Sequence, residues 1–140
     1  MASEEERMAP LLAGHPEILE AYLFGSRARG DAAAHSDVDL AIYVDRGAVP
    51  ETPFGYVAAL ITELIQALGR NDVDVVLLND APPLLYHRVL RDGRRLFSRD
   101  LAATTRREGD ALSRYCDYVP QLRKIEAAQR RRIEGGRFGR

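Results

Sequence analysis

The sequence predicts an α/β (α+β) fold, in which a small mixed sheet of about four strands is flanked by helices and followed by a C-terminal helical segment. In residues 37–44 the even positions are all large and aliphatic, which is the period of a strand with one face on a core. In residues 54–68 apolar side chains recur at intervals of three and four, which is helical spacing. The β-branched run 72–78 follows, and this order of strand, long helix and strand indicates parallel or mixed pairing.

The N-terminal segments are expected to form a helix and a further short strand. Ser3 and Glu6 have the spacing of a capping box, so a first helix should begin there and end at the turn 14–16. The apolar run 21–24 stops at Gly25 and is typical of a buried strand that enters a turn.

The middle of the chain is expected to continue as helix and strand. Thr52 can cap the long helix and Pro53 can occupy its first turn, with Phe54 as the first residue of its apolar core face. A short helix should open at the Pro-Pro pair 82–83 and end near residue 91. After an Asp-Gly turn, residues 94–98 are expected to form an edge strand.

The C-terminal segment has a helical pattern from residue 100 onward. Its apolar residues fall on one stripe, on which Cys116 is expected to be a buried small hydrophobe. Pro120 is expected to kink or divide the helix. We divide the chain into a core over residues 1–99 and, in the same domain, a helical extension with a flexible tail over residues 100–140. The residues of the stripe are Leu112, Tyr115, Cys116, Val119, Leu122 and Ile125.

The length and composition are those of one globular domain. The chain has 140 residues, which is enough for one ordinary domain and too few for two. Its 46% hydrophobic and 29% charged residues exclude a disordered chain, and its net charge of −1 gives no general attraction to nucleic acid or an acidic membrane. The single cysteine cannot form an internal disulfide, the acidic N-terminus does not resemble a secretory signal, and no apolar stretch is long enough to span a bilayer. We therefore expect a cytoplasmic protein that binds no membrane and for which direct nucleic-acid binding is not expected.

Charge is distributed unevenly along the chain. Residues 1–99 contain 10 Lys and Arg against 15 Asp and Glu, a net charge of −5, whereas residues 100–140 contain 10 against 6, a net charge of +4. The helical segment 112–133, with its basic end at residues 130–132, is therefore expected to dock a protein partner and to lie outside the nucleotide site.

Three aspartates on two neighbouring predicted strands are the candidate catalytic and metal-binding residues. Asp37 and Asp39 are two residues apart and share a face, and Asp74 can join them across the strand spacing of about 4.8 Å. Their carboxylates are hard oxygen donors, which suit Mg²⁺. A pair of such ions roughly 3.5–4 Å apart can place positive charge at the attacking and leaving oxygens of a phosphoryl or nucleotidyl transfer.

The Gly-Ser turn before these aspartates is a candidate phosphate-binding element. Gly25 lets the backbone approach a polyphosphate, and Ser26 can donate a hydrogen bond to it. Arg27 and Arg29 can neutralise phosphate oxygens, and Ser36 completes the candidate nucleotide-binding residues. Each feature alone is common in turns and strand ends, but their order along the chain is specific.

This order resembles the signature of the DNA polymerase β-like nucleotidyltransferase superfamily. Gly25 and Ser26, ten intervening residues and then Asp37-Val38-Asp39 match that signature, and the short chain is similar to the minimal nucleotidyltransferase (MNT) branch. The resemblance covers residues 23–79. It implies a nucleotidyltransferase-like fold, with residues 1–99 as the minimal nucleotidyltransferase core.

The resemblance also implies an activity and a partner. In this family the paired aspartates and a third acidic residue bind magnesium and the Gly-Ser turn binds the triphosphate, which implies two Mg²⁺ ions at Asp37, Asp39 and Asp74, with ATP as co-substrate. Such enzymes are similar to antitoxins encoded beside HEPN-domain ribonuclease toxins. The implied reaction is the transfer of AMP from ATP to a tyrosine or other hydroxyl of the toxin.

Two other functions remain open at this point. A small-molecule nucleotidyltransferase resembling those that modify aminoglycosides would use the same residues, although those enzymes usually need a larger second domain for the acceptor. An antitoxin that acts only by binding and occlusion would need no transfer. A HEPN gene beside this one would support either antitoxin function and count against drug modification.

Overall fold

The computed structural model describes residues 3–25, 37–52 and 54–135, and these contain one four-stranded sheet. Its strands are β1 (Ile18–Phe24), β2 (Val38–Val44), β3 (Val73–Leu77) and β4 (Arg94–Ser98). Their spatial order is β3-β2-β1-β4, with β2 and β3 parallel and the other neighbours antiparallel. The sheet is mixed, as predicted, and β4 is an edge strand.

Four α-helices in the described ranges flank this sheet: α1 (Glu4–Ala13), α2 (Tyr56–Leu68), α3 (Pro83–Asp92) and α4 (Leu101–Glu134). Helices α1 and α2 pack on one face of the sheet, while α3 and the first turns of α4 pack on the other. Short 3₁₀ segments follow β2 and β3. The predicted α/β (α+β) fold class is confirmed.

The face covered by α1 and α2 carries the larger hydrophobic core. The even positions of β2 all lie in this core, which confirms the period of two that predicted the strand. Because side chains alternate along a strand, the odd positions point toward α3 and α4. The core residues of β2 are Val38, Leu40, Ile42 and Val44.

Helix α1 begins where the sequence predicts. The side chain of Ser3 accepts a hydrogen bond from the N–H of Glu6 at 3.1 Å. This bond satisfies one of the free donors in the first turn of a helix. Pro10 lies inside the helix without ending it.

Two element boundaries differ from the expectation. Strand β1 begins at Ile18 and not at residue 21, because Glu20, which looks like a polar interruption, is fully buried. Helix α2 begins at Tyr56, after Gly55 with φ +92° at its N-cap. Phe54 was expected in the core but is 91% exposed.

Helix α4 continues through Pro120, so the prediction that this proline could divide the helix is wrong. The helix has 34 residues, which at about 1.5 Å per residue gives a length of about 51 Å. Pro120 is exposed, so water can reach the Cys116 carbonyl, which has lost its N–H partner in the helix. No helix in the described ranges is both long and apolar enough to cross a membrane.

The apolar stripe of α4 does not form a core. Thr104 and Ala111 are the buried residues of this helix, and both precede the stripe. Leu112 and Ile125 are 51% and 50% exposed, and Cys116 is exposed, contrary to the prediction that it is buried. The helix spacing was predicted correctly, but within the described domain the stripe makes only the contacts at its start, where Tyr115 stacks on His87.

A buried ion pair fixes the first turns of α4 on the sheet. The Glu20 carboxylate accepts hydrogen bonds from Arg107 at 2.5 and 2.7 Å and from Thr104 at 2.8 Å. The Arg107 guanidinium also lies 4.9 Å from the centroid of the Tyr43 ring. The Ser98 hydroxyl extends the network with a contact to Thr104 at 2.7 Å. Because a buried carboxylate is costly without its partners, these bonds hold α4 against β1.

Removal of the arginine from this pair should destabilise the fold strongly. Arg107→Met leaves a buried carboxylate without its counter-charge, and we expect the free energy of unfolding to fall by about 3–5 kcal/mol. Urea unfolding followed by circular dichroism measures the change. The exposed neighbour Arg106 provides the matched control, and Arg106→Met should change the value by about 0.5 kcal/mol or less. Equal stability of the two variants would contradict the anchoring role of the ion pair.

Candidate active site

The three predicted carboxylates lie at one end of the sheet. Asp39 of β2 is paired in register with Asp74 of the parallel strand β3 and with Phe24 of the antiparallel strand β1. Asp37 directly precedes β2 and is exposed. Since Leu40 lies in the core on the other face, Asp39 points to the side of α3 and α4. The structure thus brings together the strand ends that carry all three aspartates.

The carboxylate of Asp39 is electrostatically strained. Partial burial raises its pKa above the ordinary aspartate value, and the charges of Asp74 and then Asp37 raise it further. The charges of Asp74 and Asp37 are therefore close enough to repel the charge of Asp39. A cation placed among them would relieve this repulsion, so the site has the chemistry of a cation-binding site.

The three carboxylates share this region without converging on one point. Oδ1 of Asp74 accepts a hydrogen bond from the N–H of Val75 at 3.0 Å. Within the described ranges, no three His, Cys, Asp or Glu side chains are close enough together to hold a metal ion as they stand. The residue types fit magnesium, which prefers oxygen ligands, and a bound ion would require the aspartate side chains to turn toward it.

Gly25 places the backbone of the turn after β1 against Asp39. It has φ +81°, and a Cβ atom at this position would lie 2.5 Å from Oδ2 of Asp39. The positive φ favours glycine here, and a side chain at this position would displace the Asp39 carboxylate. The other predicted nucleotide-binding residues, Ser26, Arg27, Arg29 and Ser36, lie outside the described residues.

Arg70, which the sequence pattern did not single out, stabilises the start of β3. Arg70 pairs with Asp72 and, at 2.9 Å, with Glu4 of α1. The hydrogen bond to Asp72 is the main reason that the pKa of Arg70 is raised, and the charge of Asp37 adds to it. The carbonyl of Asp72 in turn accepts the N–H of Val38 at 2.8 Å. Arg70 therefore supports the pairing of β2 with β3 beside the acidic cluster, and its spacing to Asp72 is the only sequence signal for this role.

Two histidines in the described ranges lie away from the aspartates. His87 stacks on Tyr115 with 3.6 Å between ring centroids, so it packs α3 against α4. His15 contacts the carboxylates of Glu17 at 3.0 Å and Glu63 at 2.7 Å, on the α1 and α2 side of the sheet. Neither histidine belongs to the acidic cluster.

Comparison with known proteins identifies the family. The model of the polymerase beta nucleotidyltransferase family matches residues 6–102. This chain belongs to that family. The nucleotidyltransferase is also 29% identical over 143 residues to the protein adenylyltransferase MntA of Aphanizomenon flos-aquae, with 96% of this chain and 90% of that protein covered. The matched range 6–102 contains Gly25 and all three aspartates.

Solved structures confirm the fold. A chain of the complex of a tri-AMPylated Shewanella oneidensis HEPN toxin with its MNT antitoxin matches this nucleotidyltransferase with a TM-score of 0.67 and 23% identity, covering 90% of this chain and 96% of that chain. A chain of a toxin-antitoxin complex with AMP-PNP matches with a TM-score of 0.61 and 24% identity, covering 94% and 96%. The predicted resemblance to minimal nucleotidyltransferases is confirmed, as is the nucleotidyltransferase-like fold with its long C-terminal helix.

Asp39→Asn should stabilise the metal-free protein at neutral pH. A carboxyl group whose pKa is higher in the folded than in the unfolded state makes the free energy of unfolding fall as pH rises through the interval between the two pKa values. The substitution removes this loss of stability. The free energy of unfolding of the variant at pH 7 in EDTA should therefore equal or exceed that of the wild type. The advantage should fade as the pH falls through that interval. Urea unfolding at neutral and acidic pH measures it, and exposed Asp110→Asn is the control. A destabilised Asp39→Asn variant at pH 7 would contradict the prediction.

Gly25→Ala should be more harmful than the same change at Gly69. Both glycines have positive φ, +81° and +69°, so each substitution carries the backbone cost of about 1–2 kcal/mol. At Gly69 nothing lies within 4 Å of an added Cβ, whereas at Gly25 the methyl group would collide with Asp39. We expect only Gly25→Ala to lose Mg²⁺-dependent nucleotide binding, measured by calorimetry, and to be the less stable variant in urea. Equal losses in both variants would show that strain alone is responsible.

Proposed function

We propose that this nucleotidyltransferase is a Mg²⁺-dependent protein adenylyltransferase that moves AMP from ATP to a tyrosine or other hydroxyl of a HEPN ribonuclease toxin, and so acts as an antitoxin. The observation that carries the proposal is the register of β2 and β3, which sets Asp39 beside Asp74, with the Gly25 backbone against Asp39 on its other side. The adenylyltransferase MntA and the MNT chains of toxin-antitoxin complexes support it. The reaction would take place in the cytoplasm, together with the toxin.

Asp37, Asp39 and Asp74 would hold the magnesium, with two ions as the expected number. Bound there, the ions supply positive charge at the attacking and leaving oxygens of the transfer. The raised pKa of Asp39 supports this assignment, because a site built to hold cations leaves its carboxylates in mutual repulsion when they are unpaired.

The turn at Gly25 would hold the triphosphate. The positive φ of Gly25 and the close approach of its backbone to Asp39 put main-chain groups next to the proposed transfer site. Ser26, Arg27, Arg29 and Ser36 would add hydrogen bonds and positive charge around the phosphates. The leaving pyrophosphate would therefore remain on the β1 side of Asp39.

Asp74 would act on the acceptor. It lies on β3, on the side of Asp39 opposite to β1, and it is exposed. An in-line displacement needs the attacking oxygen opposite the leaving group. The acceptor oxygen would bond to the α-phosphorus while the bond from that phosphorus to the bridging oxygen breaks and pyrophosphate leaves. Asp74 would orient the acceptor hydroxyl or take its proton.

The test is transfer of labelled AMP to the HEPN protein encoded beside this chain. The two proteins are incubated with α-labelled ATP and Mg²⁺, and mass spectrometry locates each AMP group. We expect the label on a hydroxyl of the HEPN protein, loss of at least about a hundredfold in rate with Asp39→Asn, and little change with the control Asp110→Asn.

Three other results would overturn the proposal. Label on an aminoglycoside in place of the protein would identify a small-molecule enzyme. Full inhibition of the ribonuclease without ATP, equal for the wild type and Asp39→Asn, would identify an antitoxin that acts by occlusion alone. Transfer that survives in Asp39→Asn would place the metal elsewhere.

A further inference from the structure

The last two-thirds of α4 extend away from the domain. We call residues 112–134 the arm. It touches the domain at its base, where Tyr115 stacks on His87 at 3.6 Å, and none of its residues is buried. Leu112 at its base is 51% exposed and Ile133 near its tip is 60% exposed. At about 1.5 Å per residue the arm is about 35 Å long. The buried residues of α4 all precede it, so the packing of the domain does not require a helix of this length.

The apolar residues of the arm form a seam of the kind that pairs two helices. The intervals between them are three, four and three residues, which are the a and d positions of two successive heptads. The a and d positions of the next heptad are Glu126 and Gln129, so the apolar seam ends at Leu122, and Ile133 occupies the a position after them. The four residues of the seam are Leu112, Tyr115, Val119 and Leu122. A helix with this spacing fits one facing helix better than a flat surface or a disordered chain.

From residue 123 onward the e and g positions of the arm are basic apart from Ile125. Arg123 and Arg130 occupy e positions and Arg132 occupies a g position, and all three are exposed. The other e and g positions from 111 to 132 are Ala, Cys, Tyr and Ile. If two copies of the arm paired, parallel or antiparallel, no e or g position would place an acidic residue opposite these arginines. Because e and g charges select the partner of a coiled coil, the arm favours a different helix that carries acidic residues.

A cavity of about 680 Å³ opens at the base of the arm. It lies between α3, α4 and the strands β1 and β4, and Leu112 belongs both to its wall and to the seam. Asp37, Asp39, Asp74 and Gly25 do not line it. The cavity is therefore continuous with the arm and separate from the acidic cluster.

The walls of this cavity are held in place by polar contacts. The Tyr22 hydroxyl donates to Glu108 at 2.6 Å, and Arg95 donates to the same carboxylate oxygen at 3.1 Å. His87 and Leu90 of α3 form the opposite wall. A pocket of this size, in which Leu90 and Leu112 lie beside charged groups such as Arg95 and Glu108, can take a large apolar side chain with polar neighbours, and such a side chain is the usual anchor of a protein interface.

We propose that the arm and this cavity together form the docking surface for an acidic amphipathic helix of the protein acceptor. The seam pairs with that helix, acidic side chains of the helix face Arg123, Arg130 and Arg132, and one large apolar side chain enters the cavity beside Leu112. This inference rests on the proposed function in one respect, namely that the acceptor is a protein. It adds that the acceptor is selected on a surface separate from the one where AMP is transferred.

The apolar contact is tested with two leucines of the same helix. Leu112 and Leu101 are 51% and 59% exposed, but only Leu112 borders the cavity. Affinity for the fluorescently labelled HEPN protein is measured with the full chain carrying Leu112→Asp or the control Leu101→Asp. We expect about a tenfold or greater loss for Leu112→Asp and little change for the control. Thermal unfolding of both variants checks that α4 is intact.

The charged contact is tested with two double variants of equal net charge. Arg123→Glu/Arg130→Glu changes e positions, on the side of the helix that carries the seam, whereas Lys124→Glu/Arg131→Glu changes f positions on the opposite side of the helix. We expect the first pair to weaken binding about tenfold more than the second and to reduce its salt dependence. Equal effects of the two pairs would overturn the proposal in favour of a general electrostatic attraction.

The same samples separate this proposal from the proposed function. Sedimentation of the chain alone should show a monomer, and a dimer that Leu112→Asp dissociates would identify a second copy as the occupant and overturn the docking proposal. Binding that depends on Leu112 without any AMP transfer would contradict the proposed function and leave the docking surface standing. AMP transfer to the HEPN protein with unchanged binding by all arm variants would support the proposed function and overturn the docking surface.

Discussion

The parallel pairing of β2 with β3 determines where the acidic side chains of the site lie. Its register sets Asp39 beside Asp74, and the bond from the N–H of Val38 to the carbonyl of Asp72 at 2.8 Å fixes that register at the end of the strands that carries the site. A slip of one residue in either strand would turn its aspartate into the hydrophobic core, because side chains alternate. The core of the α1 and α2 face therefore enforces the geometry of the opposite face, and the site depends on packing that it does not touch.

The clustered carboxylates oppose folding, and other parts of the domain offset that cost. The pKa of Asp39 is raised by burial and by the neighbouring aspartates, so its ionisation at neutral pH is a destabilising contribution. Arg70 brings one positive charge to the start of β3. The buried pair of Glu20 and Arg107 ties α4 to the sheet on the same side as the cluster, which keeps α3 enclosed between them. Functional sites commonly lower stability in this way, while the surrounding structure maintains the fold.

The fold was largely predictable because its signals are local. The alternation over β2 and the spacing of α2 each lie within one element, and the order of turn and aspartates along the chain predicts the candidate site. The errors have a common cause, which is that a sequence pattern does not show what a side chain meets. Glu20 looks polar, but its partner Arg107 is 87 residues away and makes it a core residue. The stripe with Cys116 has the spacing of a buried face, but helical spacing is the same whether the facing surface belongs to this chain or to another. Asp74 points partly toward Val75, and no pattern predicts a side-chain rotamer.

The uneven charge of the chain gives the arm a further physical role. Residues 1–99 carry a net charge of −5, so an acidic helix is repelled by the body of the domain, although the same helix is attracted to the basic arm. Electrostatic interactions in solution fade over about 8–10 Å at physiological salt. The arm is about 35 Å long, so its basic residues from Arg123 onward lie about 16 Å or more from its base, beyond the range at which the acidic body acts on a partner. Under the two proposals, this length would separate the charges that attract a partner from the negative charge that would hold cations. A single small domain can in this way combine an acidic transfer site with an acidic partner, provided that the acceptor segment that reaches Asp74 is itself neutral or basic.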